Sequence, residues 1–301
     1  MPPRANLPAK IANVAALQRG SLIYAQFAVP ARTTEGLPIR TALSFDLRAG
    51  PATAPFALDQ WLSQAQEFRG VVRGGYVQYQ IPIDAWAGRE IYLAARAIGA
   101  NGKDAGWSPV ATVNVVPPPA PPQNLDAGSV PQGVRLTWTG APGDFRVYRR
   151  GPGESGFTRM ADVHEESWTD TTAEFGKPYA YGVQRILKPA EGKEAESDFV
   201  EKSFTPVDTF PPAAPGGLHA TVAPGSIEVS WQQNTEPDLA GYRVYRAVGS
   251  GPFERIAEVS QIPAYSDHAV EAGKTYRYTV TAFDRSNNES DRSVSVEVTM
   301  Q

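Results

Sequence analysis

There is no cysteine anywhere in the 301 residues. Its absence excludes disulfides and the common thiolate zinc sites, so every folded unit must be held by core packing alone. It does not identify a compartment. Histidine is scarce: His164, His219 and His268 stand in different contexts, and none has a partner at metal-ligand spacing. No stretch approaches the roughly 18 apolar residues of a membrane span. No basic run with interleaved aromatics appears, and the net charge is only −4, so nucleic acid is not an expected partner. The charge is unevenly spread. Residues 1–116 carry 11 basic and 7 acidic side chains, residues 117–207 carry 10 and 13, and residues 208–301 carry 7 and 12. The first residues, MPPRANLPAKIANV, lack the basic start and long apolar core of a signal peptide. Either the protein works in the cytoplasm or the numbering begins after a removed export segment.

Signatures of catalysis are missing as well. There is no Gly-rich phosphate loop at a strand–helix junction, no Gly-x-Ser-x-Gly elbow and no His-Glu-x-x-His helix. Carboxylate pairs exist, such as Glu165–Glu166 and Asp267 near Glu271. Sugar hydrolysis, however, needs two carboxylates roughly 5–10 Å apart across a cleft. No enzyme activity, cofactor or metal is expected. The stretch 284–291 (DRSNNESD) has a calcium-like set of oxygen donors, but Asp, Asn and Ser also form turns, and it is read as the turn between the last two strands.

What the chain does have is repetition. Residues 145–150 (FRVYRR) and 242–246 (YRVYR) are near-copies 97 positions apart. Asp170 and Tyr179 recur at the same offset as Asp267 and Tyr276, while Pro118, Leu125 and Trp138 recur 93 later as Pro211, Leu218 and Trp231. The offset grows in one place, where TGAPGD (139–144) gives way to the longer QQNTEPDLAG (232–241). A constant offset broken by one loop-sized insertion indicates homologous domains. Two proline-rich stretches, PPPAPP (117–122) and PVDTFPPAAP (206–215), divide the chain into units 1–116, 117–207 and 208–301. Such segments favour an extended, semi-rigid backbone, so the units are expected end to end with limited flexing.

Within the third unit Ile227, Val229 and Trp231 alternate with Glu228 and Ser230, the period of a half-buried strand with Trp231 facing the core. Seven short strands in about 95 residues, with turn signals every 8–12, indicate an antiparallel sandwich. The second unit repeats the pattern with Val134, Leu136 and Trp138. The first aligns 111 residues back, placing Ile23, Ala25 and Phe27 in those positions, and Tyr92 where Tyr179 and Tyr276 stand.

The core Trp on the second strand, the YRVYR third strand and the Tyr opening the sixth make the chain resemble the fibronectin type III domain. The resemblance covers essentially the whole chain. It implies an all-β fold: three tandem fibronectin type III, immunoglobulin-like antiparallel β-sandwiches in an elongated array. It also implies that Tyr92, Tyr179 and Tyr276 are corner tyrosines whose hydroxyls cap the preceding crossover. Phe27 departs from the family's Trp. The integrin-type Arg-Gly-Asp triplet is missing; Arg19-Gly20-Ser21 and Arg69-Gly70-Val71 are the nearest strings. Residues 205–218, 234–246 and 284–290 further resemble bacterial surface repeats, particularly acidobacterial fibronectin type III lipoproteins. That likeness implies an extracellular or cell-envelope location, with a lipid anchor carried by a cysteine that this chain does not contain.

The most distinctive local feature is residues 51–75, inserted in the first unit where the others have short connections. Leu58, Trp61, Leu62 and Ala65 follow i, i+3, i+4, i+7 spacing, which predicts a short helix or ordered loop closing one end of the sandwich. Alternatively, Trp61 and Phe68 could form an exposed apolar patch that docks a partner or stacks on sugar rings. Trp86 and Trp168 are further contact candidates, Trp168 on a strand near a sheet edge. Two functions follow: a non-catalytic spacer, adhesion or protein-interaction scaffold, or a carbohydrate-binding accessory module using these aromatics. The partner is accordingly a protein or a surface polysaccharide, with a membrane reached only through the lipid anchor.

Overall fold

The computed structural model describes residues 7–191 and 193–301. Its first sandwich begins with β1 (Ala15–Arg19), β2 (Leu22–Ala28) and β3 (Ser44–Pro51), followed by the single short helix α1 (Leu58–Gln64). Then come β4 (Gln66–Phe68), β5 (Val71–Arg73), β6 (Tyr76–Pro82), β7 (Glu90–Ile98) and β8 (Ala111–Asn114). One sheet runs β1-β2-β6-β5 and the other β4-β3-β7-β8. Strand alternation decides what lies between them: Ile23, Ala25 and Phe27 of β2 meet Val77, Tyr79 and Ile81 of β6 and Ile91, Leu93 and Ala95 of β7 in one buried cluster. The expected alignment of Phe27 with the core Trp positions agrees with this placement, since Phe27 is 2% exposed.

The second sandwich comprises β9 (Gln123–Val130), β10 (Gly133–Thr139), β11 (Asp144–Arg150), β12 (Thr158–Val163), β13 (Ser167–Asp170), β14 (Tyr179–Ala190), β15 (Lys193–Glu196) and β16 (Val200–Phe204). The third comprises β17 (His219–Ala223), β18 (Ser226–Ser230), β19 (Leu239–Val248), β20 (Glu254–Val259), β21 (Ala264–Asp267), β22 (Thr275–Asp284) and β23 (Val296–Thr299). In the third, a three-stranded sheet β17-β18-β21 faces a four-stranded sheet β20-β19-β22-β23. The second repeats this as β13-β10-β9 against β12-β11-β14, with β16 on the far side of β14. Three strands against four, all antiparallel within each sandwich, is the fibronectin type III arrangement, and the protein is all-β. Trp138 and Trp231 plug their cores at 3% and 6% exposure. Each meets the first aromatic of the repeated strand edge-on, Phe145 at 5.5 Å and Tyr242 at 5.1 Å between ring centroids.

By its contacts the chain forms two compact units. One holds the first sandwich and most of the second. The other holds Pro206–Gln301 with the short segments Ser129–Gly133 and Glu174–Gly176. Within the first unit a feature appears that proline stiffness did not predict. Strand β14 overshoots its sandwich. Its first half pairs with β16, and its second half turns back through β15. Strand β15 then pairs in parallel with β1 of the first sandwich, Gln18 beside Ala195 and Arg19 beside Glu196. One continuous nine-stranded sheet therefore crosses from the first sandwich into the second.

The seam is closed by buried polar groups. Glu196, 2% exposed, accepts from Arg19 through Oε2 at 2.7 Å and from Arg146 of β11 through Oε1 at 2.9 Å. Gln18, fully buried, satisfies both ends of its amide on the backbone of Val116. Lys193 reaches across to the Thr112 carbonyl at 2.9 Å. Gly20 completes the turn between β1 and β2 at φ +54°, and its N–H donates to the Glu196 carbonyl at 2.8 Å. A Cβ there would lie 2.3 Å from an oxygen of Asp198.

Candidate binding face of the first sandwich

The inserted segment 51–75 folds as structure. Its helix α1 lies over the outer face of the β3–β7 sheet, where Trp61 packs with Ala65 and Ala94 against Leu62, Tyr92 and Trp107. Trp61 is 1% exposed, and its indole N–H donates to the Pro51 carbonyl at 3.1 Å. The expected short helix agrees with this; its expected place is corrected, because α1 covers the outer face of a sheet and does not close one end of the sandwich. The alternative, Trp61 as an exposed contact, is corrected: an indole whose apolar rim is covered and whose N–H is satisfied has no face left for a ligand. Trp86 is corrected likewise. It is 5% exposed inside the first core, edge-on to Phe68 at 6.0 Å. Phe68 is half-buried against the same core. Trp168 is half-buried too, on β13 at the edge of its sheet, packed on the second core. The four aromatics are not brought together. The same insertion also supplies β4 and β5, the edge strands of both sheets.

The corner-tyrosine alignment is corrected at one position. Tyr276 accepts a hydrogen bond from the Glu271 N–H at 2.9 Å, as the resemblance implies. Tyr92 does not correspond to it. Ile91, Leu93 and Ala95 are the core-facing residues of β7, so Tyr92 points to the opposite face and packs on Trp61 and Phe56. A one-residue shift in a strand exchanges inside for outside.

Much of the charged chemistry of the repeats is structural. In the second sandwich the buried Asp170 accepts from Arg149 at 2.7 Å and from the Tyr181 hydroxyl at 3.0 Å. Burial raises its carboxyl, but hydrogen bonds from Arg149, Thr172 and Tyr181 outweigh this and hold it below its ordinary 3.8. Burial, reinforced by the Asp170 charge, pushes the Tyr181 phenol up. Asp267, Arg246 and Tyr278 repeat the set in the third. The three histidines lie on the surface, His164 beside Asp144. The 284–291 stretch is a turn, with Asn287 at φ +66° and the Asn288 N–H donating to Asp284 Oδ1 at 2.8 Å. Carboxylate oxygens of Asp208, Asp238 and Asp284 lie within 4.8 Å of one another. The Asn288 side-chain amide bridges Asp284 at 2.8 Å and Asp208 at 3.4 Å.

A concavity whose side chains remain open to solvent lies elsewhere, on the outer face of β1-β2-β6-β5. It is a groove of about 690 Å³. Alternation presents Tyr24 and Gln26 from β2 and Gln78 and Gln80 from β6, all exposed. Tyr24 lies directly across from Gln80, and Gln26 from Gln78. Arg19 lies over the Tyr24 ring at 5.4 Å. Arg69 and Arg73 stand at the opposite wall, both exposed, and neither has an ion-pair partner among the described residues. No Asp or Glu lines the groove. Sequence reasoning passed over these residues. The signal was the polar half of the alternation in LIYAQFA and YVQYQIP, of which only the apolar half of the first was read.

No protein-family model matches the chain. Among curated proteins it is similar to Exoglucanase B of Cellulomonas fimi, 31% identical over 193 residues, which is 60% of this chain and 16% of that protein. It is also similar to the Amylopullulanase of Thermoanaerobacterium saccharolyticum, 33% identical over 88 residues, 29% of this chain and 7% of that protein. The chain thus spans a small fraction of each. Similar solved structures include the chicken CNTN1 FN1-FN3 domains, at TM-score 0.32 and 15% identity, covering 98% of this chain and 99% of that one. The two fibronectin type III domain segment of chicken tenascin matches at TM-score 0.40 and 15% identity, over 60% of this chain and 100% of the segment.

Proposed function

We propose that the protein is a non-catalytic extracellular or cell-envelope scaffold, whose fused sandwiches act as a spacer and offer surfaces to a partner. The observation that carries this reading is the continuous sheet between the first two sandwiches. Backbone pairing of β1 with β15 and the buried Arg19–Glu196–Arg146 set give the pair the stiffness a spacer needs. The repeated Asp–Tyr–Arg sets place ionisable side chains in structural roles, where each is neutralised and hydrogen-bonded. Similarity to short portions of much longer polysaccharide-degrading proteins fits a part that accompanies chemistry carried elsewhere. An envelope location in the source cell accords with this, with any lipid anchor supplied outside the residues present.

Two measurements test the reading together. Reducing-end release from carboxymethylcellulose and pullulan should stay at the blank level with the purified chain. Fractionation of the source cells should find the protein in the envelope or the medium. Turnover that disappears on replacing one carboxylate, or a cytosolic protein, overturns the proposal.

A further inference from the structure

We propose that the groove on the β1-β2-β6-β5 face binds an acidic polysaccharide, a chain of sugars bearing carboxylate groups. The charge on the face is of one sign. Arg19 stands at the β1 side and Arg69 and Arg73 at the β5 side, with no acidic residue between them. Three inter-strand steps separate β1 from β5, about 14 Å at the usual strand spacing. A ligand lying across the strands meets the cations Arg69 and Arg73, unpaired among the described residues, at the β5 end and neutral groups in the middle. At the β1 end it meets Arg19, whose charge is shared with Glu196.

Those middle groups suit hydroxyls. Gln26 and Gln78 face each other across the β2–β6 pair, their amides touching at 3.5 Å, and Gln80 stands two residues further along. Side-chain amides offer donor and acceptor together, which matches the paired hydroxyls of a sugar. Tyr24, 37% exposed, presents a ring with Arg19 over one side, at a register position across from Leu17 and Gln80. An aromatic ring with an apolar face and a polar tip can cover the apolar face of a pyranose.

A protein strand pairing with the β5 edge fits less well. Strand β5 is three residues long, the short edge that discourages such pairing. A globular partner would draw on an anchor in a desolvated pocket, whereas this floor is a flat ladder of amides.

The test uses the whole 301-residue chain in affinity gel electrophoresis with polygalacturonate as the probe. Hydroxyethyl cellulose serves as the neutral control and poly-L-glutamate as a polyanion without sugars. Polygalacturonate should retard the protein, and less so as salt is raised. Hydroxyethyl cellulose should not retard it, and polyglutamate should act at least tenfold more weakly. The Arg69→Gln/Arg73→Gln double variant should lose at least tenfold in affinity, and Gln26→Ala/Gln78→Ala at least fivefold. Should a variant melt earlier than the parent, amide chemical-shift changes in the unaltered protein decide, and they should map to β1, β2, β5 and β6. Absence of retardation, equal retardation by polyglutamate, indifference of a normally melting Gln variant, or shifts confined to other strands each overturn the proposal.

Discussion

The hydroxyl of Tyr181 donates to Oδ2 of the buried Asp170 at 3.0 Å, and 97 residues later the hydroxyl of Tyr278 donates to Oδ2 of Asp267 at 2.7 Å. In each sandwich an arginine from the repeated strand, Arg149 or Arg246, bonds to the same carboxylate oxygen and lies 5.3 Å over a neighbouring tyrosine ring. Removing the charge from such a set leaves a partly buried arginine uncompensated. Asp170→Ala should therefore cost about 3–5 kcal/mol of the second sandwich's stability. Tyr181→Phe and Tyr278→Phe, each deleting one hydrogen bond, should cost about 1–2 kcal/mol in their own sandwiches. Urea denaturation followed by hydrogen exchange assigns each loss to its sandwich.

The same carboxylates set the acid response. Asp170 is held below its ordinary 3.8, and Glu289 below 4.5, where bonds from Thr281, Tyr245 and Arg243 outweigh the upward push of burial. A carboxyl with a depressed folded value stabilises the fold above its unfolded pKa. That contribution is lost as pH falls through the folded value. Stability should thus be level from pH 7 to about pH 5 and fall steeply below about pH 4. In Asp170→Asn the fall should be shallower for the second sandwich and unchanged for the third. Denaturation midpoints at a series of pH values measure it.

Trp61 tests whether the inserted helix is structural. Trp61→Ala empties a site that is 1% exposed and should cost about 3–5 kcal/mol in the first sandwich. Whatever binds on the β1-β2-β6-β5 face should be unaffected by it, because Trp61 packs on the other sheet. A melting curve and a polygalacturonate affinity gel on the same sample separate the two effects.

The seam makes a prediction about cooperativity. Gly20→Ala forces a side chain into Asp198 at a left-handed backbone position, and Glu196→Gln weakens its bonds to Arg19 and Arg146. Calorimetry of the parent should show the first and second sandwiches melting in one transition. Either variant should split it in two, with the first sandwich's own core unchanged.

The repeat made much of this architecture legible. Trp138, Trp231 and the alternation of Ile227 and Val229 placed core, faces and strand count from residue type alone, because burial imposes period two. The 97-residue recurrence of Asp170 marked a shared position but not its Tyr and Arg partners, which are joined only by folding. Tyr92 misled because the first unit's strand is displaced by one residue against the others, and an aligned aromatic then faces the wrong side. Trp61 and Trp86 were candidates for contact because an aromatic in an insertion or before a turn carries no sign of whether a sheet face or the core covers it. The β1–β15 seam left no trace in the pattern, since a parallel pairing between strands some 177 residues apart depends on how two finished sandwiches meet. The groove went unread for a related reason: exposed Gln and Tyr on alternate positions resemble any solvated strand until four strands align them.

A distance measurement across the seam tests the central claim most directly, and a chain without native cysteine suits it. Spin labels at Glu90→Cys on β7 and Thr137→Cys on β10, both exposed strand positions, report the separation of the first and second sandwiches by pulsed electron resonance. The account predicts one narrow distance distribution that broadens in Glu196→Gln. A broad distribution in the parent protein, indifferent to Glu196, would contradict a scaffold built on a shared sheet.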